Sequence, residues 1–212
     1  DKLMQKRQRQ DGYLNDADKE QLEDLQRKIA ARSGSEEEDS IPVVCFLARL
    51  LVDKGVNEFV LAAEILKKKG VKAKFYLAGG LDSKNKTGLK THDLNVIKDK
   101  GFVEVLGYQK DIPKLYSKSH IVCLPSYREG LPKSLIEAAA AGRAVITTDV
   151  PGCRDAVIDK KTALLVPVRN EIKLAEAIEK LLENTKLRIQ MGRANRTLAV
   201  SKFDLNYIVP KV

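Results

Sequence analysis

The stretch SYREGLPKSLIEAAAAG, residues 126–142, sets two carboxylates, Glu129 and Glu137, eight positions apart around a Gly130-Leu131-Pro132 turn. Proline suits the first turn of a helix, where its missing N–H would have no partner anyway. The turn therefore reads as the start of a helix over residues 132–141. The free amides of that helix start and the Glu129 carboxylate would face one cleft. Glu137 falls further along, beside Ile136 and the run Ala138 to Ala141. A charge isolated in an apolar setting favours function. A carboxylate can accept hydrogen bonds from a pair of sugar hydroxyls.

A second cluster is Arg49-Leu50-Leu51-Val52-Asp53-Lys54-Gly55, which follows an apolar run. Lys54 sits where a helix begins, and a cation there opposes the helix dipole. An anion would relieve it, and two cations plus free amides suit a diphosphate. A pair of solvated surface charges is the bland alternative. Gly79-Gly80 closes another apolar run, where glycine allows close backbone approach or positive φ. A plain turn needs the same residues. Gly107-Tyr108 follows a third run. Its backbone could read a base edge, or it could be a turn capped by Asp111. Neither the GxGxxG fingerprint nor the GxxxxGK[ST] phosphate loop is present, which argues against dinucleotide and P-loop enzymes.

Such residues act only if a frame brings them together, and the apolar pattern describes one. From Ile41 onward, strand-like runs at 42–48, 73–78, 103–106, 121–124, 144–148 and 163–166 alternate with helical patterns. The helices are expected over 54–69, 93–100, 112–117, 132–141, 171–183 and 185–200. Alternation of this kind predicts an α/β doubly wound parallel sheet with helices on both faces. Ligands of such sheets bind outside the carboxyl ends of the strands, where Arg49, Lys54, Gly79, Gly107, Tyr108, Glu129 and Gly130 fall.

Residues 1–40 differ. They are polar and charged, with Leu22, Leu25 and Ile29 on one face of a short amphipathic helix and SGSEEEDS as a linker. They read as an arm outside the domain at 41–202. A chain that starts at Asp1 reads as trimmed.

The 212 residues, 43% of them apolar, suit one sizeable domain with tails. No apolar run nears the roughly 18 residues of a membrane helix. The net charge of +9 is spread along the chain, and aromatics at 5% do not interleave with the lysines, so nucleic acid is not the expected partner. The diffuse positive charge permits contact with an anionic membrane surface without showing it. Cys45, Cys123 and Cys153 have no metal spacing and read as buried thiols of a reducing compartment. With only His92 and His120 besides, no metal site is expected.

Taken together, R-x4-K-G after the first strand, E-G-L-P-x4-E-A-A-A-A-G after the fourth, and T-D-V-P-G-C-R-D after the fifth form a pattern. Over residues 42–202 it resembles the retaining glycosyltransferases of GT-B fold, family four, group 1, in their C-terminal, Rossmann-like half. The resemblance implies that Arg49 and Lys54 hold a diphosphate and stabilise the leaving nucleotide. Glu137 would bind the ribose hydroxyls and Glu129 would sit by the donor sugar. The amides around Gly130 and Leu131 would approach sugar or phosphate, and Gly107 and Tyr108 would meet the base. It implies a nucleotide-sugar donor, no required metal or cofactor, and a cytoplasmic enzyme of bacterial lipopolysaccharide or capsule synthesis, peripheral on the inner membrane face. Relative to the pattern, an N-terminal acceptor-binding domain is missing, and residues 203–212 resemble the start of the helix that crosses back to it. A fragment or split enzyme is therefore expected, one that binds donor, transfers poorly and exposes a face open to homodimerisation. A scaffold module of the same fold is the competing expectation. A non-hydrolysing epimerase is a weaker one, since neither histidine falls in a cleft loop of that kind.

Overall fold

The computed structural model describes residues 41–82 and 84–203. The expected arm at 1–40, with its helix, and the segment from 204 onward lie outside the described residues. Six strands form one sheet: β1 (Val43–Leu47), β2 (Lys74–Ala78), β3 (Glu104–Gly107), β4 (Ile121–Leu124), β5 (Ala144–Thr148) and β6 (Ala163–Val166). The helices are α1 (Val56–Lys68), α2 (Thr91–Lys100), α3 (Ile112–Ser117), α4 (Lys133–Ala140), α5 (Pro151–Ala156), α6 (Glu171–Glu183) and α7 (Thr185–Phe203). The doubly wound parallel sheet expected from the alternation is present, with every strand pair parallel.

The spatial order is β3-β2-β1-β4-β5-β6. The chain winds outward one way from β1 and the other way from β4. With right-handed crossovers, the two directions send their helices to opposite faces. Accordingly α1 packs against α6, and α4 against α7. The residues of β4 and β5 are all buried, as expected for strands covered on both sides. Phe59 of α1 stacks between Phe46 of β1 and Phe75 of β2, with ring centroids 5.5 and 6.2 Å away. His120 ties the amino-terminal ends of the two central strands, β1 and β4: its Nδ1 accepts from the Val43 N–H at 3.0 Å, a structural role.

Two local expectations need correction. The helix after the Gly-Leu-Pro turn begins at Lys133, and Pro132 is its cap, with ψ of 111°. Proline sets φ but leaves ψ free, so it stands just outside the helix as readily as within it. Second, Pro151–Ala156 is a helix, in a stretch to which the sequence pattern assigned no element.

Candidate functional site

Between β1 and β4 the strand order reverses, and the loops leaving their carboxyl ends diverge. A cleft of about 490 Å³ opens there, lined by Arg49, Leu51, Asp53, Lys54, Asn85, Arg128, Glu129 and Gly130. The loop from β1 reaches the cleft through a 3-10 turn, Val52–Lys54, which ends at Gly55 with φ of 78°. A Cβ on Gly55 would overlap the Pro125 carbonyl, so only glycine lets the start of α1 seat against the exit of β4. That seat carries further bonds. The Tyr127 N–H donates to the Asp53 carbonyl at 2.8 Å, and Ser126 Oγ donates to the same oxygen at 3.1 Å.

The far side of the loop is equally fixed. Thr147 Oγ1 donates to the Leu124 carbonyl at 2.8 Å, and Thr148 Oγ1 donates to the Ser126 carbonyl. Gly152, in α5, lies so close to the Glu129 and Gly130 carbonyls that any Cβ would overlap them. Loops from β1, β4 and β5 thus hold one another, and Glu129 and Lys54 are brought face to face.

Lys54 Nζ donates to Glu129 Oε1 at 2.7 Å, with side chains only 15% and 11% exposed. The anion expected to answer a cation beside a helix start is therefore supplied by the protein itself. Arg49 donates to Asp82 Oδ2 at 2.8 Å across the cleft's outer edge. Arg128 also lines the cleft and is exposed. It stands next to Glu129 in the most informative stretch of sequence, and its charge was the signal that could have found it. Asn85 carried no such signal. It reaches the cleft because its loop folds back: Val52 N–H donates to the Thr87 carbonyl at 2.8 Å, Leu89 N–H to the Leu50 carbonyl at 2.9 Å, and Thr87 Oγ1 to Asp53 Oδ1 at 3.1 Å.

Glu137 is absent from the cleft lining. Nor is it isolated: Lys133 Nζ stands 3.8 Å from Oε1, and the Tyr116 hydroxyl is a close neighbour. Tyr116 is fully buried and donates to the Ser134 carbonyl at 2.9 Å, clamping the first turn of α4. Burial, with the Glu137 carboxylate second, pushes its phenol well above the ordinary value. Leu131 is partly buried against the core, whereas Gly130 has open space where a side chain would go.

On the other half of the sheet, Gly107 has φ of 66° and its carbonyl accepts from the Gly79 N–H at 2.9 Å. A Cβ on Gly79 would overlap the Ala48 carbonyl, so this glycine serves close packing of the strand ends. Tyr108 projects with 75% exposure. Among the described residues no His/Cys/Asp/Glu cluster could hold a metal ion. All three cysteines are buried free thiols; desolvation pushes Cys45 up to about 12.

Comparison with known proteins agrees with this fold. The family model "Glycosyl transferases group 1" matches residues 27–198. An N,N'-diacetylbacillosaminyl-diphospho-undecaprenol alpha-1,3-N-acetylgalactosaminyltransferase of Campylobacter jejuni is 37% identical over 82% of this chain. This chain spans 44% of that relative's length. The C-terminal domain of a group 1 family glycosyl transferase (LpcC) from Francisella tularensis superposes with a TM-score of 0.67 at 20% identity, covering 92% of this chain and 97% of that one. Anabaena Alr3699/HepE, solved in complex with UDP, superposes with a TM-score of 0.69 at 19% identity, over 92% of this chain and 51% of that one.

Proposed function

The chain belongs to the group 1 glycosyl transferases, and from that premise we propose that it is the donor half of an enzyme moving a sugar from a nucleoside diphosphate to an acceptor with retention. The observation that carries this reading is the cleft at the β1/β4 divergence, where Arg49, Lys54 and Arg128 gather around Glu129. Arg49 and Lys54 hold the diphosphate. Glu137 takes the ribose hydroxyls, the amides of Gly130 and Leu131 approach phosphate or sugar, and the Gly107-Tyr108 turn meets the base.

The chemistry follows from charge. Breaking the bond between the sugar and its leaving diphosphate builds negative charge on the leaving oxygen. Fixed cations aimed at that oxygen lower the barrier because they need no reorganisation as the charge appears. In this reading no metal is required, since lysine and arginine carry the charge it would supply. The acceptor hydroxyl attacks from the face the diphosphate leaves, and its proton passes to the departing phosphate oxygen. Glu129, released from Lys54 when the phosphate takes that cation, is free to face the donor sugar.

The acceptor site belongs, in this reading, to a further domain, and the length of the Campylobacter relative supports that division. That relative's name gives a diphospho-undecaprenol acceptor; in this reading the acceptor here is likewise lipid-linked, at the inner face of a bacterial membrane in surface-glycan assembly. The described helices include none long and apolar enough to cross a membrane; in this reading the chain meets the bilayer surface through its diffuse positive charge.

Calorimetric titration with UDP, GDP, ADP and CMP, on this chain and on Glu137→Ala, tests the reading. Saturable binding of one nucleotide, weakened by the substitution, is expected. Equal affinity of both proteins removes Glu137 from the site. Absence of binding to all four overturns a self-sufficient donor site and favours the scaffold alternative. Strong sugar transfer by this chain alone would overturn the division of labour.

A further inference from the structure

Tyr127 stands outside the cleft lining, at the root of the loop that supplies Arg128, Glu129 and Gly130. Its hydroxyl donates to Glu58 Oε1, in the first turn of α1, at 2.6 Å. The Arg169 guanidinium lies over its ring, 4.8 Å from the centroid. Arg169 precedes α6 and has φ of 53°, a left-handed conformation rare for a residue with a side chain. Glu58 is 8% exposed, and its second oxygen, Oε2, is buried without a hydrogen-bond partner. The Tyr127 hydroxyl is thus the hydrogen bond that this carboxylate has.

Three elements converge on one phenol: α1 below it, the turn before α6 above it, and the cleft loop that it belongs to. A hydroxyl-to-carboxylate bond of this length is charge-assisted and directional. A cation over the ring face resists tilting of the ring. Burial and the Glu58 carboxylate push the Tyr127 phenol up to about 12, so it stays a donor across the working range.

We propose that Tyr127 is a positioning residue whose bond to Glu58, under Arg169, sets the pitch of the 127–131 loop and so the distance from Glu129 to Lys54. This rests on the donor-site reading only for its effect on affinity. The brace itself is a property of the unliganded chain.

The experiment compares Tyr127→Phe with the double variant Tyr127→Phe/Glu58→Met. The single variant strands the buried carboxylate, while the double variant replaces both partners with apolar groups, which restores stability when packing is the only issue. Tyr127→Phe should lower Tm and weaken UDP binding about tenfold, the worth of one charge-assisted hydrogen bond. The double variant should recover Tm and keep the weak binding. Recovery of both together overturns the proposal, because it makes the bond a packing matter alone. On the unliganded chains, hydrogen exchange at the Gly130 and Leu131 amides should be faster in both variants. Unchanged exchange overturns the brace whether or not UDP binds. Failure of UDP and of the other nucleotides to bind the parent chain strikes the donor-site reading, and exchange then decides the brace.

Discussion

Lys54 and Glu129 lie 75 positions apart in the chain and meet at 2.7 Å. Neither side chain is more than 15% exposed. The pair is one of the contacts by which the β1 and β4 loops register against each other, and in the proposed function it is the pair that a diphosphate opens. Removing one partner leaves a mostly buried charge alone. Lys54→Met or Glu129→Gln should each cost about 1–3 kcal/mol in urea unfolding, below the fully buried range because some solvent reaches the pair. The double variant should recover part of that cost, giving a coupling of about 1 kcal/mol in a double-mutant cycle. Strict additivity would mean that the two groups ignore each other.

Gly55 and Gly101 share a left-handed backbone, with φ of 78° and 69°, but differ in surroundings. A Cβ on Gly55 would overlap the Pro125 carbonyl, whereas one on Gly101 meets nothing within 4 Å. Gly101→Ala should therefore cost only the backbone term, about 1–2 kcal/mol. Gly55→Ala adds a clash that β4 can relieve only by moving, so its cost should be about 3 kcal/mol or more. Thermal unfolding of the two variants side by side reads the difference. Nucleotide binding should be lost in Gly55→Ala and kept in Gly101→Ala.

Tyr116→Phe removes the bond that holds the Ser134 carbonyl in the first turn of α4. It also deletes the hydroxyl beside Glu137. A stability loss of about 1–2 kcal/mol is expected for the stranded carbonyl. Affinity for a nucleotide should fall, while affinity for pyrophosphate, which lacks a ribose, should not. A parallel fall in both would place Glu137 at the phosphates instead.

The alkaline limit of the fold has a defined sign. In the unfolded chain Cys45 would ionise near its ordinary value of 9.0, but in the fold desolvation holds it protonated up to about 12. Cys123 and Cys153 are pushed the same way by burial. The folded state therefore keeps protons that the unfolded state has released, and stability should fall steadily as pH rises from about 9 toward 12. Denaturant melts at stepped pH measure the slope. At pH 8 a thiol reagent should label none of the described cysteines in the native chain and all three after unfolding.

The strands of the sheet were legible because burial on both faces writes them as unbroken apolar runs; 121–124, 144–148 and 163–166 fall where the runs are. The order in the sheet followed from alternation only as a class. Arg49, Lys54, Glu129 and Gly130 were readable as cleft residues because each follows a strand end directly. Asn85, which lines the cleft, and Glu58, which lies outside it under Tyr127, were not readable, for a common reason. Each reaches its place through a fold-back or a helix face, and no local spacing records which distant loop it will meet. Glu137 looked isolated although Lys133, at i–4 spacing on the same helix, was in plain view; its other neighbour, Tyr116, comes from a different helix 21 positions earlier. Gly152 was inside a quoted motif, yet its close approach to Glu129 and Gly130 belongs to the packing of α5 against a distant loop, which no local spacing records.

The place of β1 beside both β2 and β4 has a consequence for how the chain assembles. Pairing of β1 with β2 closes a loop of modest length, and it can form early. The bond between Val43 and His120 spans 77 positions, so β4 can dock only after α1, β2, α2, β3 and α3 have been made. Long-range parallel pairing is slow, because the loop's entropy is lost before the contacts return it. The cleft straddles that late seam. During synthesis, a half-assembled chain would show β1's buried edge to its neighbours, and the step that pairs β4 with β1, on which β5 and β6 then build, would also be the one that first creates the binding site.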